Sequence, residues 1–178
     1  MAENLPQLFM RKTDMENIPE IILPEGIILH THIPGHETDW ETLIERSFGS
    51  HFGFDLSLTS RKGYKPEHVF YLSRGKKELA TTSAIEKDEF PGEGWLHMVG
   101  VDPDARGMGL SLPIVAAALR SFRERGFNSV MLSTDDFRIP AIKTYLRLGF
   151  NPVMSHESHE ARWDAIMEKL SSASQSKK

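Results

Sequence analysis

Between Trp95 and Phe122 the hydrophobic period of the chain changes from that of a strand to that of a helix, across a turn containing two glycines. Trp95-Leu-His-Met-Val-Gly-Val101 reads as a strand, whereas Leu110, Ile114, Val115, Ala118, Leu119 and Phe122 recur along one helical face, and Gly126 stands where a left-handed C-cap belongs. The connection is Asp102-Pro-Asp-Ala-Arg-Gly-Met-Gly-Leu-Ser111. Gly107 and Gly109 allow backbone N–H groups to point into a concavity without side-chain clash. The first turn of the helix adds unpaired N–H groups and the positive end of its dipole, and Arg106 adds a full charge. Pro113 fits that first turn, where its missing N–H has no helical partner to lose. The segment therefore predicts an anion site at a strand-to-helix junction.

The rest of the chain supplies a sheet around that junction. Leu8–Met10 and Ile27–Ile33 are strand-like, separated by Pro19, Pro24 and Gly26. A helix after Pro34-Gly35 carries Trp40, Leu43, Ile44 and Phe48, and residues 47–65 read as a short helix plus loop. Val69–Leu72, Leu79–Ile85 and Trp95–Val101 form a meander joined by the turns Arg74-Gly75-Lys76-Lys77 and Pro91-Gly92-Glu93-Gly94. After the central helix come a strand at Val130–Ser133, a helix from Pro140 to Leu148, a strand from Phe150 to Met154, and a helix from His159 to Leu170. This order predicts one α/β domain over residues 1–170, with a mixed, mostly antiparallel sheet of six to seven strands flanked by helices. Residues 171–178 lack a large apolar residue and are expected to form a flexible tail.

Three phosphate-binding patterns compete for the turn. A Walker loop needs Lys and then Ser or Thr after its last glycine, but Leu110 and Ser111 follow Gly109. A dinucleotide fingerprint matches at Gly107 and Gly109, but Leu112 stands where its third glycine belongs. Arg106-Gly-Met-Gly-Leu-Ser111 does match Arg-Gly-x-Gly-x-small. With the strand ending Val99-Gly-Val101 and the segment Ala141-Ile-Lys-Thr-Tyr-Leu-Arg-Leu-Gly-Phe150, the chain resembles the GNAT superfamily of N-acetyltransferases. Arg138 departs from that family's pattern, occupying a position that is usually Asn.

The resemblance implies acetyl transfer from acetyl-CoA to a primary amine of a small molecule or peptide. Main-chain groups of Val99, Gly100 and Val101 would hold the pantetheine arm, with an N–H near Val99 available to a developing oxyanion. Residues Arg106, Gly107, Met108, Gly109, Leu110 and Ser111 would hold the pyrophosphate, and Arg138 would reach a phosphate or the arm. Tyr145 occupies the family's general-acid position. For the base, the resemblance offers His97, whose ordinary pKa near 6.5 suits the task and which alternation aims to the same face as Val99. Glu86, Glu93 and Asp135 stay open as alternatives, and Trp40, Phe48, Phe52 and Phe54 are candidates for the acceptor pocket. The rival reading is a CoA-binding regulatory module of the same fold without turnover.

Composition narrows the remaining classes. A net charge of -4 argues against a nucleic-acid partner. The absence of cysteine excludes disulfides, thiolate metal sites and a cysteine nucleophile. His30, His32 and His36, or His156 and His159, have no carboxylate or Cys at a known metal spacing, so no metal is expected. Without an apolar run of about 20 residues or a secretory leader, a cytoplasmic protein with no membrane partner is expected. Family resemblance leaves a homodimer open.

Overall fold

The computed structural model describes residues 5–175. Seven strands form one sheet: β1 (Leu8–Lys12), β2 (Ile28–Thr31), β3 (Val69–Arg74), β4 (Lys77–Glu86), β5 (Gly94–Val101), β6 (Val130–Thr134) and β7 (Asn151–Val153). Their spatial order is β2-β3-β4-β5-β6-β1-β7. Every pairing is antiparallel except β5 with β6, which matches the mixed sheet expected from the sequence. The helices are α1 (Glu37–Phe48), α2 (Ser111–Glu124), α3 (Ile139–Arg147) and α4 (His159–Gln175), and the ambiguous stretch after α1 holds a single π-helical turn, Asp55–Thr59.

Each helix follows from its apolar spacing. On α1, Trp40, Leu43 and Ile44 are buried, and the helix stops at Gly49, whose left-handed φ of 75° lets its N–H bond Glu45 O at 2.8 Å. These side chains pack with Phe54, Leu58, Val69 and Tyr71 on one face of the sheet. On the other face, Ile114, Val115, Ala118, Leu119 and Phe122 of α2 meet Ala80, Ala84 and Leu96, with Ile142 and Tyr145 of α3 and Trp163 of α4 in the same cluster. Gly94 is explained by this packing: a Cβ there would lie 2.5 Å from Phe122 Cδ1. The closing helix continues past Leu170 to Gln175, where the sequence predicted a tail from residue 171. Serines here cap carbonyls of their own helix, Ser171 Oγ bonding Met167 O and Ser172 Oγ bonding Glu168 O. The last part of the expected tail, 176–178, lies outside the described residues.

Two irregularities in the sheet make room for a site. Pairing of β5 with β6 is confined to Gly94↔Val130 and Trp95↔Met131, after which the two strands diverge. On the other side of β5 the register to β4 slips: Gly100 faces Thr81 and His97 faces Ser83, so two residues, Met98 and Val99, stand against Thr82 alone. Met98 carries the bulge at φ 51°, a left-handed conformation rare outside glycine. The bulge overturns the expected shared face of His97 and Val99. His97 faces the α1 side, where its ring bonds Ser57 O, while Val99 packs against the α2 cluster.

Candidate active site

Strand divergence leaves a cleft between β5 and β6 that holds two adjoining cavities. The larger, about 580 Å3, is bounded by Val99 and Val101 on β5, Arg106, Gly107 and Gly109 in the turn, Leu110 and Ser111 at the start of α2, and Arg138 and Tyr145. The smaller, about 360 Å3, is bounded by Gln7, Lys87, Trp95, His97, Thr134 and Asp135, among others. Phe48, Val99, Arg138, Ala141 and Tyr145 belong to both.

The larger cavity has the chemistry of an anion and strand-like ligand site. Gly107 and Gly109 adopt φ of 85° and 75°, and nothing within 4 Å would meet a Cβ at either, so they are required by conformation rather than by crowding. Their N–H groups donate to no described backbone carbonyl, whereas Met108 N–H is used by Ala105 O at 3.3 Å. Arg106 is exposed and forms no ion pair with a described residue. Along β5, Asp102 N–H donates to Leu79 O on β4, so alternation turns the backbone groups of Val101 toward the open gap. These groups fit a pyrophosphate followed by an extended amide-bearing arm. Gly100 and Met108, also expected at the cofactor, are not among the residues bounding this cavity: a Cβ at Gly100 would lie 3.0 Å from Ile44 Cδ1 of α1, and the Met108 side chain packs against the α2 cluster.

Tyr145 stands on the wall shared by the two cavities, nearly buried, with its ring edge-on to Phe150 at 5.9 Å. Its hydroxyl has no hydrogen-bond partner among the described residues, and burial pushes its pKa up, with the Arg138 charge opposing more weakly. The group is therefore a proton or hydrogen-bond donor at all physiological pH values. Arg138 Nε bonds Asp135 Oδ2 at 3.0 Å, and its guanidinium lies 4.3 Å from the Phe48 ring centroid.

His97 departs from its ordinary pKa near 6.5, being lowered to about 4 by burial first and then by the charges of Arg61 and Lys87. Its Nε2 lies 3.1 Å from Ser57 O, so in the neutral ring Nε2 carries the proton and Nδ1 keeps the lone pair. The alternatives fare differently. Glu86 pairs with Arg125 at 3.2 Å, Glu93 pairs with Arg11 at 2.8 Å, and neither lines the cleft. Asp135 does line it, held by Gln7 and Arg138. Of the aromatic candidates, Phe48 and Phe52 line the smaller cavity, while Trp40 and Phe54 are buried in the α1 cluster. The sequence reading missed Gln7, Lys87 and Thr134, which come from distant parts of the chain with no shared motif. Among the described residues, no group of three or more His, Cys, Asp or Glu could hold a metal ion, and no helix is long and apolar enough to cross a membrane.

Comparison with known proteins agrees with this architecture. The family model described as Acetyltransferase (GNAT) family matches residues 37–150. The chain is 30% identical over 168 residues to a mycothiol acetyltransferase of Pseudarthrobacter chlorophenolicus, covering 87% of this chain and 49% of that protein. It is 31% identical over 142 residues to a mycothiol acetyltransferase of Thermomonospora curvata, covering 75% of this chain and 47% of that protein. The chain thus spans about half the length of these relatives. The crystal structure of a GCN5-related N-acetyltransferase from Sphaerobacter thermophilus superposes with a TM-score of 0.69 at 26% identity, over 84% of this chain and 50% of that one. A GNAT-family acetyltransferase from Colwellia psychrerythraea shares the fold at a TM-score of 0.63 and 16% identity, over 83% of this chain and 52% of that one. A splayed strand pair, a glycine turn opening α2 and a matching family model over most of the sheet together make this chain a member of the GNAT family of acetyltransferases.

Proposed function

We propose that the chain moves an acetyl group from acetyl-CoA directly to a primary amine of a small molecule or peptide, with both substrates bound together. The observation that carries this reading is the common wall of the two cavities, where Val99 and Tyr145 face a cofactor channel on one side and an acceptor space on the other. Acetyl-CoA supplies an activated thioester when bound. Gly107, Gly109 and the first turn of α2 bind its pyrophosphate, assisted by Arg106, and the open edge of β5 orients its arm. A backbone N–H near Val99 stabilises the carbonyl oxygen as negative charge develops there. His97 Nδ1 accepts the amine proton directly or through water, and the Tyr145 hydroxyl donates to the departing thiolate. With no cysteine in the chain, direct transfer needs no acyl-enzyme on a thiol.

An amine library screened with acetyl-CoA and thiol detection tests the proposal. Amine-dependent thiol release with intersecting initial-rate plots is the expected result. CoA binding without thiol release from any amine would instead make this a binding module, and parallel plots would replace direct transfer with a covalent intermediate.

A further inference from the structure

The smaller cavity contains one charge that no ion pair among the described residues holds. Of its ionisable groups, Asp135 and Arg138 neutralise each other at 3.0 Å, and His97 is neutral above about pH 4. Lys87 remains. It is half-buried, its ammonium lies 3.8 Å from the centroid of the Trp95 ring, and it forms no ion pair with a described residue, although the Glu89 carboxylate acts on it from farther away, against burial and the charge of Arg61. A π face attracts a cation but does not cancel its charge. Thr134 also bounds this cavity, but it is 3% exposed and its Oγ1 is itself closed to solvent, with no hydrogen-bond partner among the described residues. Phe52 and Trp95 give the remaining wall an aromatic character.

Resting on the acetyl-transfer reading above, we propose that the acceptor is an amine that also bears a carboxylate, which pairs with Lys87 while its apolar part lies against Phe52 and Trp95. This arrangement also bears on the base. Lys87 is one of the charges that lower His97, after burial and Arg61, so a carboxylate seated on Lys87 offsets that one contribution and raises the imidazole's basicity in part while an amine is present. An acceptor without the anion would meet a weaker base.

Steady-state rates with L-phenylalanine, L-phenylalaninamide and phenethylamine, each referred to its free-amine fraction, separate the possibilities, because the three then differ mainly at the carboxylate. The account expects kcat/KM for phenylalanine to exceed that for the amide by about 10-fold to 100-fold, the range of a charge-assisted hydrogen bond. In Lys87→Met the ratio should fall toward unity, and Lys87→Arg should restore part of it. Equal use of all three amines, or a ratio unchanged in Lys87→Met, would overturn the inference while leaving acetyl transfer intact. Calorimetric binding of N-acetyl-L-phenylalanine and its amide to the CoA complex gives a readout independent of turnover. Lys87-dependent preference for the free acid there, with no amine acetylated, would sustain the carboxylate site and defeat the transfer reading instead. Equal binding of acid and amide would count against the site.

Discussion

Arg46 of α1 and Asp102 at the end of β5 are joined at two points, Nε to Oδ2 at 2.7 Å and Nη2 to Oδ1 at 3.2 Å. Asp102 is buried and also accepts Asp104 N–H at 2.9 Å, so one carboxylate ties the helix carrying Ser47 and Phe48 to the origin of the phosphate turn. The Arg46 hydrogen bond, with the Asp104 N–H, holds its pKa down at about 2, below the ordinary 3.8. A carboxyl lowered on folding stabilises fully above its unfolded value, and that stability is lost as pH falls from about 4 toward 2. Asp102→Asn should therefore cost about 1–3 kcal/mol at neutral pH and flatten the fall in melting temperature across that window. Melts of both proteins against pH check this, and parallel curves would assign the acid sensitivity to other carboxyls.

Gly109→Val should weaken CoA binding about tenfold or more, since a β-branched residue resists a φ of 75° and its bulk enters the space the backbone offers to phosphate. Arg106→Ala should weaken binding less, with a loss that shrinks at high salt because the side chain is exposed. Calorimetry with CoA reads both. Unchanged affinity in a folded Gly109→Val protein would move the pyrophosphate elsewhere.

His97 should produce an acid limb in kcat/KM near pH 4, where the ring gains a proton, and not near 6.5. His97→Ala should lower the neutral-pH rate and abolish that limb. An identical profile in the variant would transfer the proton to Asp135 or to water.

Gly94→Ala tests the packing of β5 on α2. A methyl 2.5 Å from Phe122 Cδ1 forces the ring or the strand to shift, at about 1–3 kcal/mol. Denaturant unfolding measures it, and wild-type stability would mean that Phe122 yields freely.

What the sequence revealed was what has local period or local conformation. The change from strand to helix near Val101 and the left-handed cap at Gly126 are properties of a few adjacent residues, and the structure has them where they were expected. The role of Gly94 escaped notice because it depends on Phe122 of α2, a strand-to-helix contact that a turn-like run of Gly and Pro conceals. Alternation failed at Met98 because a bulge inserts one residue without any Gly or Pro to announce it, and this put His97 on the α1 face. Its lowered pKa likewise depends on Arg61 and Lys87, which are distant in sequence. The acceptor cavity was the least legible, since Gln7, Lys87 and Thr134 meet only after the sheet closes.

Tyr145→Phe tests the central claim most directly. The hydroxyl has no partner among the described residues and the ring packs on Phe150, so its removal orphans no buried group and the melting temperature should stay near wild type. A donor that acts as charge develops on sulfur contributes about 100-fold to 10,000-fold to rate and little to ground-state binding. With acetyl-CoA and an accepted amine, the account predicts a fall in kcat of that size with CoA affinity unchanged. A kcat within a few-fold of wild type, or a loss explained by weaker folding, would contradict it.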